Sequence, residues 1–409
     1  MITLQFTVLA IAVLFLLLMM YYGALTVWGL SYRRWSARQH RPAPADWPSV
    51  DILIPAHNEG KVLANTLDAM VRQNYAGHLE IYVLNDSSQD DTADIAEAYD
   101  TVFTSVHHIR VPEGTPRGKA RVLNHGFALS TSEYVAVYDA DNAPEPDALR
   151  LLVQAAVTTP HAVGAVGYVK TANEKRNWLT RMIALEFALF QLLMQAGRWH
   201  MGRLGSLTGT NIIIRREALA DVGAWDPHAL AEDADLTMKL TAAGGLLPVV
   251  PESRTWEQEP ESFGVWLRQR TRWMQGNLYL VAKLIRTPQW WTGRTLWHSL
   301  QLVSVYSVFI LFLLLSDALF IGGLLGLVHV YVAVPLVALW TESIVIYMLQ
   351  IVSAVTVDGM LDAENLALAF IMYVSYAQLW IVILIIGYVK QAALRARNAE
   401  VVWDKTVRF

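Results

Sequence analysis

The chain has 409 residues, of which 54% are hydrophobic and only 17% are charged, a balance that leans toward a membrane protein. Its net charge of −4 gives no support to nucleic-acid binding, which favours a basic footprint. Because the chain has no cysteine, disulfides and thiolate metal sites are excluded, and any metal ion must be held by oxygen or imidazole ligands.

The first predicted element is a membrane-spanning helix. Residues 6–30 carry no charge, and a helix of that length reaches roughly 37 Å, more than the hydrocarbon core of about 30 Å. The apolar run is longer than that of a signal peptide, and no basic residue precedes it. Arginines follow it from 33 to 41, so the positive-inside rule places the N-terminus outside and the following chain in the cytoplasm. We therefore predict a transmembrane helix over 1–31 and a cytoplasmic linker over 32–47.

The next part of the chain, 48–286, alternates short β-branched runs with helical patterns. The predicted strands are Val50–Ile54, Glu80–Leu84, Tyr134–Tyr138, Gly164–Val169, Asn211–Ile214 and Leu246–Val250. The predicted helices are Gly60–Gln73, Thr92–Tyr99, Lys119–Leu129 and Pro146–Val157. This alternation is typical of a mostly parallel α/β sheet with helices on both faces. In such sheets ligands bind beyond the carboxyl ends of the strands.

Polar loops follow the first two predicted strands. The first reads Pro-Ala-His-Asn-Glu-Gly at 55–60, and the second reads Asn-Asp-Ser-Ser-Gln-Asp-Asp-Thr at 85–92. Asp90 or Asp91 is expected to cap the helix that follows. Each loop alone is explained by its turn-forming residues, but two such loops at the ends of neighbouring parallel strands predict a nucleotide cleft.

Two carboxylates, Asp139 and Asp141, follow the apolar run Tyr134–Tyr138. In an extended chain, side chains at i and i+2 project to the same side. Paired carboxylates suit a hard cation such as Mg²⁺ or Mn²⁺, which would neutralise charge on a diphosphate leaving group. An Asp-x-Asp triplet is common by chance, so this interpretation depends on its position after a buried strand.

Charged residues stand at the starts of two predicted helices. Lys119 follows Gly118, where the helix dipole disfavours a cation; a bound phosphate would relieve this, and a solvated lysine is the alternative. Glu232, Asp233 and Asp235 crowd the start of another helix. Acids there can be ordinary caps, but their mutual repulsion favours a role such as a general base beside a sugar hydroxyl.

A later predicted helix carries Gln269, Arg272 and Trp273 on one face, because they stand at i, i+3 and i+4. Arginine is suited to clamp a phosphate, and tryptophan is suited to form a platform for a sugar ring. Arg268 and Arg270 flank them, and a basic helix with a tryptophan is equally typical of a membrane surface.

Aromatic residues also mark two sparsely charged stretches, 177–200 and 289–297, which we predict to lie at the lipid headgroups. A buried core helix is the alternative for the first stretch. The tryptophans assigned to the headgroup zone are Trp178, Trp199, Trp290, Trp291 and Trp297.

A second apolar block extends to 389. Residues 366–389 are long enough to span a bilayer, and 297–357 divides into two or three helices, with a turn at Gly322 and Gly323. The basic tail over 390–409 predicts a cytoplasmic C-terminus, which favours an even number of crossings. We expect three to four helices in 287–389, with four preferred. Asp317 either faces protein or a watery channel or lies near a helix end.

The order of these motifs resembles that of the membrane-bound family 2 glycosyltransferases, which include cellulose, chitin, hyaluronan and poly-N-acetylglucosamine synthases. The matching motifs are Pro-Ala-His-Asn-Glu at 55–59, Asn-Asp-Ser-Ser at 85–88, Gly-Lys-Ala at 118–120, Asp-Ala-Asp at 139–141, Thr-Gly-Thr-Asn at 208–211, Glu-Asp-Ala-Asp at 232–235 and Gln-Arg-Thr-Arg-Trp at 269–273. The last resembles the Gln-x-x-Arg-Trp signature of processive members. The resemblance implies a Rossmann-like GT-A core inserted between transmembrane helices, with interfacial amphipathic helices.

The resemblance also implies a role for each motif residue. Its donor site comprises Glu59 and Asp86 at the uridine, Lys119 and Arg272 at the diphosphate, Asp139 at the nucleotide and Asp141 at the metal. Its catalytic residues are Asp233, as the general base, and Glu232. Its acceptor site comprises Thr208, Gly209, Thr210, Gln269 and Trp273.

The expected activity is inverting transfer from a UDP-sugar, with Mg²⁺ or Mn²⁺, to a growing β-linked polymer of the poly-N-acetylglucosamine or glucan type. The alternatives are a non-processive glycolipid synthase and a non-catalytic export-channel subunit. The expected partners are the UDP-sugar, a glycan or lipid acceptor, membrane lipids and an accessory secretion subunit, with no nucleic acid. The expected location is the inner or plasma membrane, multi-pass, with the catalytic domain in the cytoplasm.

Overall fold

A computed structural model describes residues 2–38, 41–308 and 333–396, together with several positions between 311 and 327. At its centre lies an eight-stranded sheet in the order β3-β2-β1-β4-β7-β6-β8-β5. The strands are β1 (Val50–Ala56), β2 (Leu79–Asn85), β3 (Val106–Arg110), β4 (Tyr134–Val137), β5 (Ala143–Pro144), β6 (Gly164–Thr171), β7 (Ile212–Arg215) and β8 (Val249–Glu257).

The helices precede, connect and follow these strands. Around the first five strands they are α1 (Ile2–Ser36), α2 (Leu63–Met70), α3 (Thr92–Val102), α4 (Lys119–Leu129) and α5 (Ala148–Thr158). Between β6 and β8 lie α6 (Trp178–Phe187), a π-helical segment (Ala188–Met194), α7 (Gln195–Gly202), α8 (Arg216–Asp221) and α9 (Glu232–Ala242). After β8 come α10 (Phe263–Ile285), α11 (Gly293–Val303), a π-helical turn (Ser304–Val308), α12 (Ala333–Asp358), α13 (Ala363–Val374) and α14 (Tyr376–Ala396).

The sheet is covered by helices on both faces, as the alternating pattern predicted. Successive residues of β1 point to opposite sides, so Leu53 joins one apolar cluster while Ile52 and Ile54 join the other. The first cluster includes residues of α4, α7 and α9, and the second includes residues of α2, α3 and α5. The α/β prediction is therefore confirmed.

The sheet is less parallel than predicted. The neighbouring strands β3, β2, β1 and β4 are parallel to one another, and β6 is parallel to β8. In contrast, β7 is antiparallel to both of its neighbours, β4 and β6, and β5 is antiparallel to β8. β6 and β7 are antiparallel because the long helical connection between them starts and ends at the same edge of the sheet. β3 was not predicted, because its sequence Val-His-His-Ile-Arg is that of a partly exposed edge strand.

Several predicted boundaries differ from those of the structure. β8 was predicted at Leu246–Val250, but it runs to Glu257, because the polar residues after Pro251 alternate between buried and partly exposed positions. β4 ends at Val137, before Tyr138. The N-terminal helix continues to Ser36, into the predicted linker.

Four helical segments are long and apolar enough to cross a membrane. They are Val13–Ser36, Trp178–Gly202, Thr341–Asp358 and Ala363–Ala393. The first two cross each other closely: a Cβ on Gly29 would collide with the Leu193 carbonyl oxygen, and one on Gly197 with that of Leu25. Asp317, Gly323 and the tail after 396 lie outside the described residues.

Two of these helices contact the sheet through partly buried ion pairs and hydrogen bonds. At the end of α1, Arg33 pairs with Glu252 of β8 at 2.8 Å. At the end of α12, Asp358 accepts hydrogen bonds from Lys170 and Tyr168 of β6, both at 3.0 Å. The carboxyl ends of α1 and α12 therefore lie on the same side, against the sheet.

The headgroup assignment is wrong for two tryptophans. Trp199 and Trp290 are buried, with 2% and 3% exposure, because Trp199 packs against the sheet and Trp290 against α10. Trp178, Trp291 and Trp297 are exposed. The 177–200 stretch is largely buried, which corresponds to the alternative prediction of a core helix.

Candidate active site

A cavity of about 590 Å³ lies beyond the carboxyl ends of β1 and β4, where a sheet of this type binds ligands. The thirteen residues predicted for catalysis, donor, metal and acceptor all line it: Glu59, Asp86, Lys119, Asp139, Asp141, Thr208, Gly209, Thr210, Glu232, Asp233, Gln269, Arg272 and Trp273. The structure thus brings together motifs that are spread over more than two hundred positions of the chain.

The two polar loops are joined to each other by hydrogen bonds. The backbone N–H of Asn58 donates to Ser88 Oγ at 3.0 Å, and the backbone N–H of Gln89 donates to Asn58 Oδ1 at 2.7 Å. Asn58 and Ser87 have positive φ angles of 54° and 57°, a conformation that asparagine tolerates better than most residues. These bonds form one rigid rim at the end of the cavity that holds Glu59 and Asp86.

Arg121 belongs to this rim and was missed by the sequence reasoning. Its guanidinium pairs with the Asp86 carboxylate and also donates to the Pro112 carbonyl oxygen at 2.6 Å. Arg121 lies two residues after Lys119 at the start of α4, so a second basic residue at that helix start was the available signal. The pair fixes the orientation of Asp86 in the cavity.

Lys119 is the central cation of the cavity. Its Nζ lies 2.5 Å from Asp139 Oδ1 and 3.6 Å from Glu232 Oε1, and it donates to the Gly209 carbonyl oxygen at 2.7 Å. Burial lowers the pKa of Lys119, but the carboxylates of Asp139 and Glu232 outweigh burial and hold its pKa above the usual value. The solvated-lysine alternative is therefore wrong: the anions that offset the helix dipole come from the protein itself.

Gly209 lies beside the side chains of Lys119 and Asp233. Its φ of +82° lies in the left-handed region, which favours glycine. A Cβ at this position would lie 3.5 Å from Asp233 Oδ2 and 3.6 Å from Lys119 Nζ. These are ordinary contact distances, so the backbone conformation, and not a lack of space, favours glycine at this position.

Asp139 and Asp141 lie in a turn and not in extended chain, because β4 ends at Val137 and Asn142 N–H closes the turn on the Asp139 carbonyl oxygen at 3.0 Å. Both still reach the cavity, and Asp141 is only 6% exposed. No group of three acidic or histidine side chains with metal-binding geometry occurs in the described parts of the chain. The donor set nevertheless fits Mg²⁺ or Mn²⁺, because such ions are commonly held by one or two carboxylates plus substrate phosphates.

The three acids at the start of α9 have different surroundings. Glu232 faces Lys119, and the fully buried Asp235 pairs with Lys283 at 2.5 Å and with Lys239 at 3.6 Å. Asp233 Oδ1 accepts the N–H of Ala234 at 2.8 Å. Burial and the neighbouring Glu232 carboxylate raise the pKa of Asp233 to about 7, which suits a general base at neutral pH.

The opposite end of the cavity is formed by long helices. Gln269, Arg272 and Trp273 project from α10, as their spacing predicted. The lining residues that the sequence reasoning missed include Phe187, Gln191, Glu257, Tyr306 and Trp380. Glu257 is the last residue of β8, so it lies at a carboxyl end of a strand, where ligands are expected to bind. The other four residues have no local sequence signal.

Comparisons with known proteins agree with this geometry. A family model described as glycosyltransferase like family 2 matches residues 48–276. The probable glycosyltransferase YdaM of Bacillus subtilis is 36% identical over 366 residues, which cover 88% of this chain and 87% of that protein. The poly-beta-1,6-N-acetyl-D-glucosamine synthase of Staphylococcus epidermidis is 29% identical over 228 residues, or 56% of this chain and 54% of that protein.

Among solved structures, the mannosyltransferase PcManGT from Pyrobaculum calidifontis, in complex with GDP-Man and Mn²⁺, superposes with a TM-score of 0.56. The sequences are 20% identical, and the match covers 90% of this chain and 98% of that one, which shows a shared fold. The matched family model and the Bacillus relative show that the chain belongs to glycosyltransferase family 2 and is built on a GT-A core.

Proposed function

We propose that the protein is a membrane-embedded, inverting glycosyltransferase that uses a UDP-sugar and extends a β-linked polysaccharide. The observation that carries this proposal is the shared cavity. Its donor rim, its half-buried carboxylate Asp233 and its helical acceptor end all border the same space. A transferase needs these three parts within reach of one sugar ring.

In the proposed mechanism, Asp233 takes the proton of the acceptor hydroxyl as the acceptor oxygen attacks the anomeric carbon. The bond from that carbon to the diphosphate oxygen breaks in the same step, so the configuration is inverted. Lys119 and Arg272 stabilise the negative charge of the departing nucleoside diphosphate. Asp141 and Asp139 would hold Mg²⁺ or Mn²⁺, which when bound neutralises part of the same charge.

The membrane placement is supported by how the apolar helices join the sheet. A segment that crosses a bilayer once has its ends on opposite sides. The Trp178–Gly202 segment connects β6 to β7, which are antiparallel neighbours, so both of its connections leave one edge of the sheet. We therefore propose that this segment lies along the membrane surface, whereas α1 and α12 cross the bilayer, with the catalytic core in the cytoplasm.

A polymer product is favoured by two observations. The Staphylococcus relative is a synthase of a poly-N-acetylglucosamine, and α10 carries the Gln-x-x-Arg-Trp pattern of processive members. The acceptor end is lined by Trp273, Tyr306 and Trp380, whose rings suit the apolar faces of sugars. N-acetylglucosamine is accordingly the sugar that we propose first.

The test is a donor screen on the purified chain in nanodiscs. UDP-N-acetylglucosamine, UDP-glucose and UDP-glucuronic acid are supplied with Mg²⁺ or Mn²⁺, and both UDP release and product size are measured. We expect UDP release that chelation abolishes and a ladder of long products. One or two sugars on a lipid would instead identify a glycolipid synthase, and no UDP release from any donor would refute the proposal.

A further inference from the structure

A buried ionic cluster lies behind the acceptor end of the cavity. Arg270 Nη2 donates to Glu186 Oε2 at 2.7 Å, and the Tyr376 hydroxyl donates to the same oxygen at 2.7 Å. Trp266 Nε1 donates to the Tyr376 hydroxyl oxygen at 3.0 Å. Arg270 is 0% exposed, Tyr376 3% and Glu186 7%. We call Glu186, Arg270 and Tyr376 the Glu186 node.

The three members of the Glu186 node come from three helices, α6, α10 and α14. None of the three lines the catalytic cavity, so their role is not to contact substrate there. A buried charge pair is commonly no more stabilising than apolar residues of the same size, because desolvation offsets the attraction. Stability alone therefore does not account for an ionic cluster at this place.

Each member stands next to an aromatic ring that does line the cavity. Phe187 follows Glu186, Trp273 is one helical turn beyond Arg270, and Trp380 is one turn beyond Tyr376. The contact is direct on α10, where Arg270 Cζ lies 4.0 Å from the centroid of the Trp273 ring. Arg270 Cζ also lies 5.6 Å from the centroid of the Phe187 ring.

Charge-assisted hydrogen bonds are short and directional, so a carboxylate shared by two donors fixes the relative positions of the helices that carry them. Apolar packing tolerates small sliding of helices, whereas this cluster does not. A shift of α14 by one residue would separate Tyr376 from Glu186 and would move Trp380 relative to Trp273. The Glu186 node thus links the three helices that carry these rings.

We propose that the Glu186 node is a positioning device that sets the spacing of Phe187, Trp273 and Trp380. This spacing in turn sets how tightly the rings bind the acceptor end of the growing glycan. The inference rests on the proposed function, because it assigns these rings to the acceptor. A loosened node should therefore release the glycan early and leave the reaction with the donor intact.

The test compares two tyrosine-to-phenylalanine variants. Tyr376→Phe removes one hydrogen bond from the Glu186 node, and Tyr168→Phe removes a similar hydroxyl–carboxylate bond, to Asp358 at 3.0 Å, that is not part of the node. With UDP-N-acetylglucosamine, we expect Tyr376→Phe to shorten the mean product about three- to ten-fold, the factor that one hydrogen bond is worth. Its initial rate of UDP release should stay within about two-fold of the parent protein, and Tyr168→Phe should leave product length unchanged.

A second readout does not depend on the donor. In protein labelled with fluorotryptophan, the Trp273 resonance is assigned by its loss in Trp273→Phe. We expect Tyr376→Phe to shift or broaden that resonance and Tyr168→Phe to leave it in place. Glu186→Gln, which keeps the size of the side chain, should act as Tyr376→Phe does if the latter expresses poorly.

The outcomes separate the two proposals. If Tyr376→Phe and Glu186→Gln leave both the Trp273 resonance and the product length unchanged, the positioning role is refuted. If the parent protein makes no glycan from any UDP-sugar, the proposed function fails. The Trp273 resonance alone then decides whether the Glu186 node positions the ring.

Discussion

The two ends of the cavity are built in different ways. At the donor end, contacts join residues about thirty positions apart, such as Asn58 to Ser88 and Glu59 to Thr92. At the acceptor end, Glu186 binds Arg270 across 84 positions and Tyr376 across 190. The donor end is thus formed by adjacent strand-loop-helix units, whereas the acceptor end depends on helices that are remote from one another in the chain.

This difference teaches that the two halves of the reaction should be separable by mutation. Changes in the donor loops or at the base should alter chemistry, and changes between helices should alter the product or the stability of the helical half. The variants below test that separation, from the largest expected effect to the smallest.

The largest effect is expected for Asp233→Asn, at the junction of the two ends. Loss of the general base should lower kcat by about 10²- to 10⁴-fold, while UDP binding measured by calorimetry stays within about two-fold.

The pKa of Asp233 is raised to about 7 by burial and Glu232, so its ionised form destabilises the fold and stability falls as the pH rises toward 7. The asparagine variant should therefore melt no lower than the parent protein at pH 8; a clearly lower Tm or near-native turnover would contradict the assignment.

A smaller loss is expected for Gly209→Ala. The φ of +82° strains any residue with a Cβ, and relief of that strain would move the carbonyl oxygen that holds Lys119. We expect a rate decrease of roughly ten- to a hundred-fold from the misplaced lysine, measured by UDP release.

Gly244→Ala is the matched control for Gly209→Ala. Its φ is +89°, nothing lies within 4 Å of its Cβ position, and it is outside the cavity. Both variants should lose about 1–2 kcal/mol of stability, and only Gly209→Ala should lose activity. Equal activity in the two variants would show that Gly209 has no special place in the site.

The helical half is tested by Gly29→Leu, where the added side chain meets the backbone of Leu193. Overpacking of this kind costs about 1–3 kcal/mol, so the Tm should fall while UDP binding to the remaining folded protein is unchanged. Gly23→Leu, in the same helix with nothing within 4 Å of its Cβ position, should have no such effect. A loss of UDP affinity in Gly29→Leu would break the separation of the two ends.

The smallest effect is expected for Glu232→Gln. Glu232 raises the pKa of Asp233, so its neutral counterpart should lower that pKa and move the acid limb of the pH–rate profile to lower pH. The measurement is the initial rate of UDP release across that limb. Glu217→Gln, at an exposed position on α8, should leave the limb in place. An upward shift in Glu232→Gln would contradict the electrostatic account.

The contrast between the two ends also determines what the sequence could predict. Asp86, Asp139 and Asp141 follow strands whose ends meet at one edge of the sheet, so their convergence was predictable from the strand pattern alone. Gln269 and Trp273 were predictable from helical spacing. The functional roles of these residues stay predictions, which the variants above test.

The aromatic lining of the acceptor end and the Glu186 node were not predictable, for a physical reason. Glu186, Phe187 and Trp380 lie in apolar stretches that read as membrane or core helices, and hydropathy does not report which helices touch. The direction of β7 was missed on similar grounds, because it depends on where a long connection returns. The end of β8 was missed because polar residues on one face of a strand mimic a loop.

The pairing of Lys119 has a consequence for how tightly a donor is held. Its ammonium is already neutralised by Asp139 and Glu232, so a diphosphate bound at this lysine, as we propose, would exchange with a resident anion and would not occupy an empty site. The affinity gained at this lysine is the difference between two ion pairs, both of which salt weakens. Such an exchange would favour rapid turnover over tight retention, because the protein's own carboxylates would compete with the spent nucleotide for the lysine.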